Sequence, residues 1–575
     1  MNSTFAGAIK AATLAVLLGT ACAWAQSAGR LPDQPRTANF AGAEKLAPEL
    51  QSPQDSGESI DIIVQYRSTP NGAHHQRVAT LGGQLQRQFD FINAAHYRLP
   101  ARQLEQLASD PDVVAIHPDR TVTSLAFNGK LDYSWMSLLN LSSPNAGAAY
   151  DGTGIGVAVI DSGIDTNTEY PRGGPVYSQN FVSGEDQYDW FGHGDHVAGI
   201  IADTADECKG DPCTYRVRGI APGAKLINLK ALNQNGSGSD SQVIAAINRA
   251  IQLKNTYNIR VINLSLGRPV TVSYQNDPLC AAVEQAWKAG IVVVVAAGNQ
   301  GRNNSAGTHG YGTIAAPAND PYVITVGAMN TKGTLTRGDD VFTSFSSKGP
   351  TPIDTIVKPD ILAPGSNIAS TRGWDTWFDD TYASNRIPNS YYCPSCDPIP
   401  SDELDYFQLS GTSMAAGFVS GAAALLIQQN PSLTPDQVKA RLMKTADKTV
   451  PSSTVVTDPA TNISYTIYDD LFSAGAGYLN IDAALHSSDV APANLSALSP
   501  TAVYNASSGT ATVVFGSNAI WGSNAIWGSN VIWGSNAIWG SNAIWGSNAI
   551  WGSNSIWGSG SDQTEALDVL LNGDN

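Results

Sequence analysis

Ser410-Gly411-Thr412-Ser413-Met414-Ala415-Ala416-Gly417 runs directly into Phe418-Val419-Ser420-Gly421-Ala422-Ala423-Ala424-Leu425-Leu426. A glycine, two small hydroxyl residues and an unbroken run of small and apolar side chains predict a tight turn opening a helix buried on all sides. Ser413 then lies in that helix's first turn. There the macrodipole and the first N–H groups favour negative charge, which suits a nucleophile whose attack creates an oxyanion. An isolated Gly-Thr-Ser would only cap a core helix, so the reading depends on what else the chain carries.

Three further stretches answer it. Gly154-Ile155-Gly156-Val157-Ala158-Val159-Ile160-Asp161-Ser162-Gly163-Ile164-Asp165 is an apolar run ending on a carboxylate and a glycine turn. It predicts a buried parallel strand with Asp161 at its C-terminal end, where open α/β sheets place their chemistry. Gly192-His193-Gly194-Asp195-His196-Val197-Ala198-Gly199 sets a histidine between glycines at the start of an apolar helix. Ile291 to Ala297, followed by Gly298-Asn299, reads as a second buried strand that delivers a side-chain amide to the same sheet edge. Carboxylate, imidazole, hydroxyl and amide are the parts of an acyl-transfer site.

With these elements in this order, the chain resembles the subtilisin-like serine proteases. The matching motifs are Asp161-Ser162-Gly163-Ile164-Asp165, His193-Gly194-Asp195-His196-Val197-Ala198-Gly199, Ala296-Ala297-Gly298-Asn299 and Gly411-Thr412-Ser413-Met414-Ala415. Val261 to Gly267, Lys358 to Gly365 and Gly475 to Asn480 fit as secondary markers, and the resemblance spans about residues 128 to 487. It implies an α/β fold, a mostly parallel sheet flanked by helices. It also implies a catalytic set of Asp161, His193 and Ser413 with Asn299 as oxyanion donor; spacing alone does not assign these roles. Two departures stand out: Asp195 replaces the usual hydroxyl residue, and Gly417-Phe418 replaces Pro-His. A carboxylate in a helix's first turn suits the dipole, so Asp195 has an explanation without function.

The charge of −17 and pI near 4.8 argue against nucleic-acid binding, and 575 residues imply several segments. Lys10, the apolar run Ala11 to Ala25 and Ala23-Trp24-Ala25 before Gln26 predict a secretory signal peptide over 1–25. The product is then secreted: extracellular, periplasmic or on the cell surface. Cys22 has Gly19 three residues before it, which leaves a lipid-anchor motif incomplete. No other stretch is long and apolar enough for a transmembrane segment.

Residues 26–127 read as one unit, ordered from about residue 59 after a Pro- and Ala-rich lead-in to Gln54 without periodicity. Strands at Ser59 to Tyr66, Gln84 to Phe89, Phe91 to Leu99 and Val113 to His117, with helices at His75 to Leu81 and Ala101 to Ser109, make a small α/β sandwich. It resembles the family's inhibitory propeptide. The resemblance places its end, between Arg120 and Lys130, in the active-site cleft as a bound product, so the chain's own propeptide becomes its intramolecular inhibitor.

Within 128–487 the resemblance assigns Gly236-Ser237-Gly238 and Ser265-Leu266-Gly267 to pairing with extended substrate. Glycine-rich edges expose backbone groups without side-chain obstruction. Ala296-Ala297-Gly298 opposite Ser265-Leu266-Gly267 would wall an uncharged pocket favouring apolar side chains, with neutral Gln300 at its rim. In an oxidising compartment, Cys208 with Cys213 and Cys393 with Cys396 form the simplest disulfide pairs, leaving Cys280 a buried free thiol. Zinc at Cys393-Pro394-Ser395-Cys396 lacks a matching second pair. The insertion Arg372 to Phe407 carries Trp374, Trp377, Phe378, Tyr382, Tyr391 and Tyr392 among acidic residues. It is expected to lean on the cleft and narrow substrate choice. The chemistry needs no cofactor; a family habit of structural calcium points to the acidic loop Asp203 to Asp211.

In the C-terminal extension, 488–575, Gly-Ser-Asn-Ala-Ile-Trp repeats seven times from Gly516 to Trp557, with Val531 and Ser555 replacing Ala. A six-residue period walks Trp round a helix but keeps it on one strand face, which predicts a β-like array. The reading is therefore a secreted, autoprocessed serine endopeptidase acting on protein or peptide substrates. Its rival is a surface adhesin or binding protein on the same fold, with the Trp array contacting cells or a polymer.

Overall fold

Two buried apolar clusters, one small and one large, organise the chain. The computed structural model describes residues 42–514 apart from 52–57, 125–149, 166–173, 205–216, 335–336, 392–399, 401–403, 459–460 and 506–509. The segment 1–25 expected to be a signal peptide, Cys208, Cys213, Cys393, Cys396, Tyr392 and the repeats lie outside the described residues. Among the described residues no helix is long and apolar enough to cross a membrane.

The small cluster belongs to β1 (Ser59–Tyr66), α1 (Gly72–Thr80), β2 (Gln84–Phe89), β3 (Ala94–Pro100), α2 (Leu104–Ala108) and β4 (Val113–Pro118), whose strands form an antiparallel sheet ordered β2-β3-β1-β4. Ile62, Val64, Val78, Tyr97, Leu99, Leu104 and Ile116 fill it. β3 starts three residues later than Phe91 because Asp90–Ile92 form a 3-10 turn and Asn93 takes φ 51°. The lead-in departs further from expectation. Ala43–Lys45 and Pro48–Leu50 form 3-10 turns, Leu46 bridges Ile116, and Leu46 and Leu50 are buried. Two leucines four residues apart dock on the sheet; so short a motif leaves no periodicity to read.

β5 (Thr121–Ser124) leads out of this unit, and the large cluster follows. Its elements are β6 (Gly156–Asp161), β7 (Tyr177–Asn180), α3 (His193–Ala202), β8 (Lys225–Lys230), β9 (Ser237–Ser239), α4 (Asp240–Tyr257), β10 (Ile259–Leu264), β11 (Leu266–Gly267), α5 (Pro278–Lys288), β12 (Val292–Ala296) and β13 (Ile324–Asn330). After them come β14 (Val341–Phe342), β15 (Ile361–Pro364), β16 (Ile368–Thr371), α6 (Trp377–Thr381), β17 (Tyr406–Leu409), α7 (Thr412–Gln429) and α8 (Pro435–Thr445). The sheet order is β14-β13-β12-β10-β6-β8-β7 with β15 also on β13; every pairing is parallel except that of β14. β6 and β12 are buried along their whole length, hence their continuous apolar runs.

α7 is buried from Thr412 to Ile427. Gly417 explains its own departure from the family pattern: a Cβ there would lie 3.0 Å from Ile200 Cγ2 of α3, so glycine lets the two helices approach. α8 opens on a capping box, with Thr434 Oγ1 accepting from Gln437 N at 3.2 Å and Gln437 Oε1 accepting from Thr434 N at 3.0 Å.

The hairpin β18 (Ser453–Thr457) and β19 (Ser464–Tyr468), then α9 (Ile481–His486), are followed by β20 (Thr501–Asn505) and β21 (Thr510–Val514). The core does not stop near Ser487. Val357 N donates to Pro500 O at 2.8 Å, and Lys439 Nζ to Ser499 Oγ at 2.9 Å. Those contacts are made by a Pro-, Ala- and Ser-rich loop, so no apolar pattern announces them.

Candidate active site

Strand ends and helix starts converge on one edge of the sheet. Asp161 is the last residue of β6, and its Oδ1 accepts from Ser162 N at 2.8 Å and from His193 Nδ1 at 2.6 Å. His193 opens α3. Because its Nδ1–H is committed to Asp161, its lone pair lies on Nε2, which has no hydrogen-bond partner among the described residues. Ser413 is the second residue of α7. Its Oγ donates to Ser265 O at 3.2 Å, and Ser265 Oγ donates to Ser413 O at 2.9 Å, so the hydroxyl is bonded to a cleft wall and not to His193. Asn299 Oδ1 accepts from Thr412 N and Thr412 Oγ1, both at 3.0 Å, which turns the amide N–H groups away from the helix. Asp161, His193 and Ser413 are all buried.

The second histidine of the motif has another task. His196 Nε2–H is shared by Ile368 O at 3.0 Å and Phe407 O at 3.1 Å, and burial beside His193 pushes its pKa down to about 3. It is a neutral brace between α3 and the β16–β17 hairpin. Asp195 turns its Oδ1 to Asp165 N at 2.9 Å, and its own N–H donates to Asp189 Oδ2 at 2.8 Å. Its carboxylate thus ties α3 to the loop that leaves Asp161. Burial, and next the nearby Asp189 charge, raise the Asp165 carboxyl to about 6; burial also raises Asp189.

A hydroxyl on a helix N-terminus, an imidazole with a lone pair and an amide donor form a constellation fit for acyl transfer. Residues 152–475 match the model of the Subtilase family, Peptidase_S8. The chain is a subtilase. Serine protease AprX of Bacillus subtilis is 34% identical over 406 residues, 68% of this chain and 84% of that protein. Subtilisin E of the same organism is 34% identical over 375 residues, 64% of this chain and 79% of that protein. Fervidolysin from Fervidobacterium pennivorans, described as a keratinolytic enzyme related to subtilisin, superposes with a TM-score of 0.55 at 22% identity. The match covers 79% of this chain and 64% of that one, and it shows the shared fold. This subtilase is accordingly a subtilisin-type serine endopeptidase.

Both segments expected to hold substrate are short edge strands, and between them lies β5. Thr121, Val122 and Thr123 pair antiparallel with Ser239, Gly238 and Ser237, while Thr123 and Ser124 pair with Gly267 and Leu266. Gly238 must be glycine, since a Cβ would sit 2.2 Å from Ala231 O. Ala296, Ala297, Leu266 and Ser265 are buried, and Gly298 at φ 110° has Ser347 Oγ 2.8 Å from where a Cβ would stand. These wall residues are uncharged, and Arg268 beside them is bound to Asp240 at 2.8 Å and to Asp277 at 2.8 and 2.9 Å.

The insertion begins as a brace against the turn before His193, where Trp377 N donates to Trp190 O at 3.0 Å. Cys280 is a buried free thiol whose Sγ–H reaches Asn319 Oδ1 at 3.4 Å. Most of the loop proposed for calcium lies outside the described residues, and its first carboxylate, Asp203, accepts the Thr371 hydroxyl at 2.7 Å. Among the described residues no group of three or more His, Cys, Asp or Glu is arranged to hold a metal ion.

Sequence reasoning missed three contributors. Asp189 Oδ1 accepts from Phe191 N at 3.1 Å and Gly192 N at 2.8 Å, capping the turn into α3. An Asp four residues before a helix-opening His was the available signal. Ser162 Oγ accepts from Gly194 N at 3.0 Å, and Thr412 holds Asn299; both look like ordinary turn hydroxyls in sequence.

Proposed function

We propose that this subtilase is a secreted zymogen that cuts its own propeptide away with Ser413, His193 and Asp161, then hydrolyses protein or peptide substrates. Ser413 Oγ attacks the carbonyl carbon while its proton passes to His193 Nε2. Asp161 holds the imidazole in that tautomer and stabilises the imidazolium. Asn299 Nδ2 and the Ser413 backbone N–H take the oxyanion. The proton then goes to the leaving amine, and water repeats the sequence to free the acyl group. Nucleophile, base and donors all come from the chain, so no cofactor enters a step. Met1–Ala25 supports export. The Trp array from Gly516 to Trp557 is assigned surface or polymer contact, with no part in hydrolysis.

The observation that carries the zymogen reading is β5 between β9 and β11, as a substrate would lie. Its ladder pairs Thr123 with Gly267 and Ser124 with Leu266, so the strand runs along β11 in the direction of Ser265. Ser265 is the residue bonded to Ser413 through both hydroxyls. The bond cut in processing is assigned to Leu125–Ala126, since Leu125 is the first apolar residue in sequence after β5, lies within the expected window of 120–130 and suits the uncharged pocket. Intact mass and N-terminal sequencing of the secreted enzyme are expected to begin at Ala126. A Ser413→Ala protein that still loses residues 26–125 would overturn the mechanism, and a mature start elsewhere would overturn the assignment of the cut.

A further inference from the structure

The turn that delivers His193 has its backbone groups occupied from two sides. From beneath, Asp189 takes the N–H groups of Phe191 and Gly192. From above, the insertion takes the carbonyls: Trp377 N donates to Trp190 O at 3.0 Å and Phe378 N to Phe191 O at 3.2 Å. Gly192 sits at φ 96°, and a Cβ there would lie 2.5 Å from Thr376 Oγ1, so the Thr376 side chain packs directly on the glycine. The Phe191 ring stacks on Trp377 with centroids 5.4 Å apart and meets Phe378 at 4.6 Å. Tyr382 closes the group against Trp377 at 5.5 Å.

A five-residue helix such as α6 has no stability of its own, so something must hold it in place. That part is played by Asp379, buried at 1% exposure. Arg372 grips its carboxylate through Nε at 2.5 Å and Nη2 at 2.6 Å, and Arg386 Nε reaches it at 2.7 Å. Arg372 Nη1 also donates to Leu404 O at 2.8 Å, which joins the start of the insertion to its end. Two guanidinium groups on one buried carboxylate, with bidentate geometry on one of them, give a rigid anchor.

We propose that the insertion is a positioning element for His193, with Asp379 and Trp377 as its positioning residues. Neither touches the reacting atoms. They act by fixing the Trp190–Gly192 backbone, and through it the line from Asp161 Oδ1 to the imidazole. A misplacement of about 1 Å at a reacting group costs on the order of 100-fold in rate. The inference rests on His193 being the general base.

Steady-state kinetics on a small neutral peptide substrate test it, using Asp379→Ala, Asp379→Glu, Trp377→Ala and Trp377→Phe in the full chain. Expected for Asp379→Ala and Trp377→Ala is a fall in kcat of about 10- to 100-fold with KM within about 2-fold. The downfield proton resonance of the Asp161–His193 hydrogen bond is expected to broaden or move upfield in both. Trp377→Phe, which keeps a stacking ring, is expected to restore most of kcat. An unchanged kcat and resonance in Trp377→Ala, or a rise in KM alone, would overturn the proposal, since the insertion would then be a scaffold or a substrate wall. Trp377 is only partly buried, so its variant reports even where Asp379→Ala does not fold. His193→Ala is the control: retained activity there would overturn the base assignment itself, whereas its loss beside an unaltered Trp377→Ala would overturn only this inference.

Discussion

Replacing Asn299 by Ala removes the amide aimed away from α7 and leaves Ser413, His193 and Asp161 chemically intact. Loss of one oxyanion donor costs roughly 2.7 to 4 kcal/mol, or about 100- to 1000-fold in kcat. The oxyanion exists only in the transition state and the intermediates, so KM is expected to stay within about 2-fold. The structure adds a graded companion. Thr412 Oγ1 donates to Asn299 Oδ1 at 3.0 Å and accepts from Gly298 N at 3.1 Å, while Thr412 N supplies a second bond to Asn299 at 3.0 Å. Thr412→Val deletes the hydroxyl and keeps the backbone bond. The amide loses one of two restraints, at about 0.5 to 1.5 kcal/mol, giving roughly a 3- to 10-fold lower kcat. In the Asn299→Ala background the same change is expected to add almost nothing, because the group it orients is gone. Burst titration on a neutral chromogenic peptide, followed by kcat and KM for the four proteins, reads all of this. Fully additive effects, or a raised KM with unchanged kcat in Asn299→Ala, would refute the assignment of Asn299 as donor.

Asp195→Asn keeps an Oδ1 acceptor for Asp165 N, so kcat and the acidic limb of the pH profile are expected to hold; a downward shift beyond about 0.5 unit would show instead that the carboxylate charge acts on His193. The Asp165 carboxyl, raised to about 6, binds its proton more tightly folded than unfolded, so its contribution to stability is present at low pH and is lost as pH rises from about 4 through 6. Melting temperatures of Ser413→Ala protein with and without Asp165→Asn are expected to differ in slope across that window, and parallel curves would contradict the shift. Truncation after Ser487 removes Ser499 and Pro500 from Lys439 and Val357, and a lower melting temperature is expected; cutting after Phe515 spares β20 and β21 and is expected to leave stability and small-peptide turnover alone.

Asp161, His193, Asn299 and Ser413 were legible because each stands where an apolar run meets a turn, and buried parallel strands and helices leave that signature in the chain itself. The N-terminal sandwich was legible in its bounds, since the strand expected over Ser59 to Tyr66 is β1, but Ile62, Ile63 and Val64 are buried in succession because both faces of that strand are covered. Only the tertiary structure decided how those ends are held: that Asp195 faces Asp165, that Asp189 and the insertion clamp the turn into His193, that Gly417 exists for Ile200, and that the chain past His486 still belongs to the core. Apart from Asp189, whose partners in that turn lie within six residues of it, each of these is a contact between segments far apart in sequence, made by a polar side chain, a backbone group or a missing Cβ. Local periodicity records which face of an element is buried, and carries no trace of which distant backbone group a carboxylate will meet there.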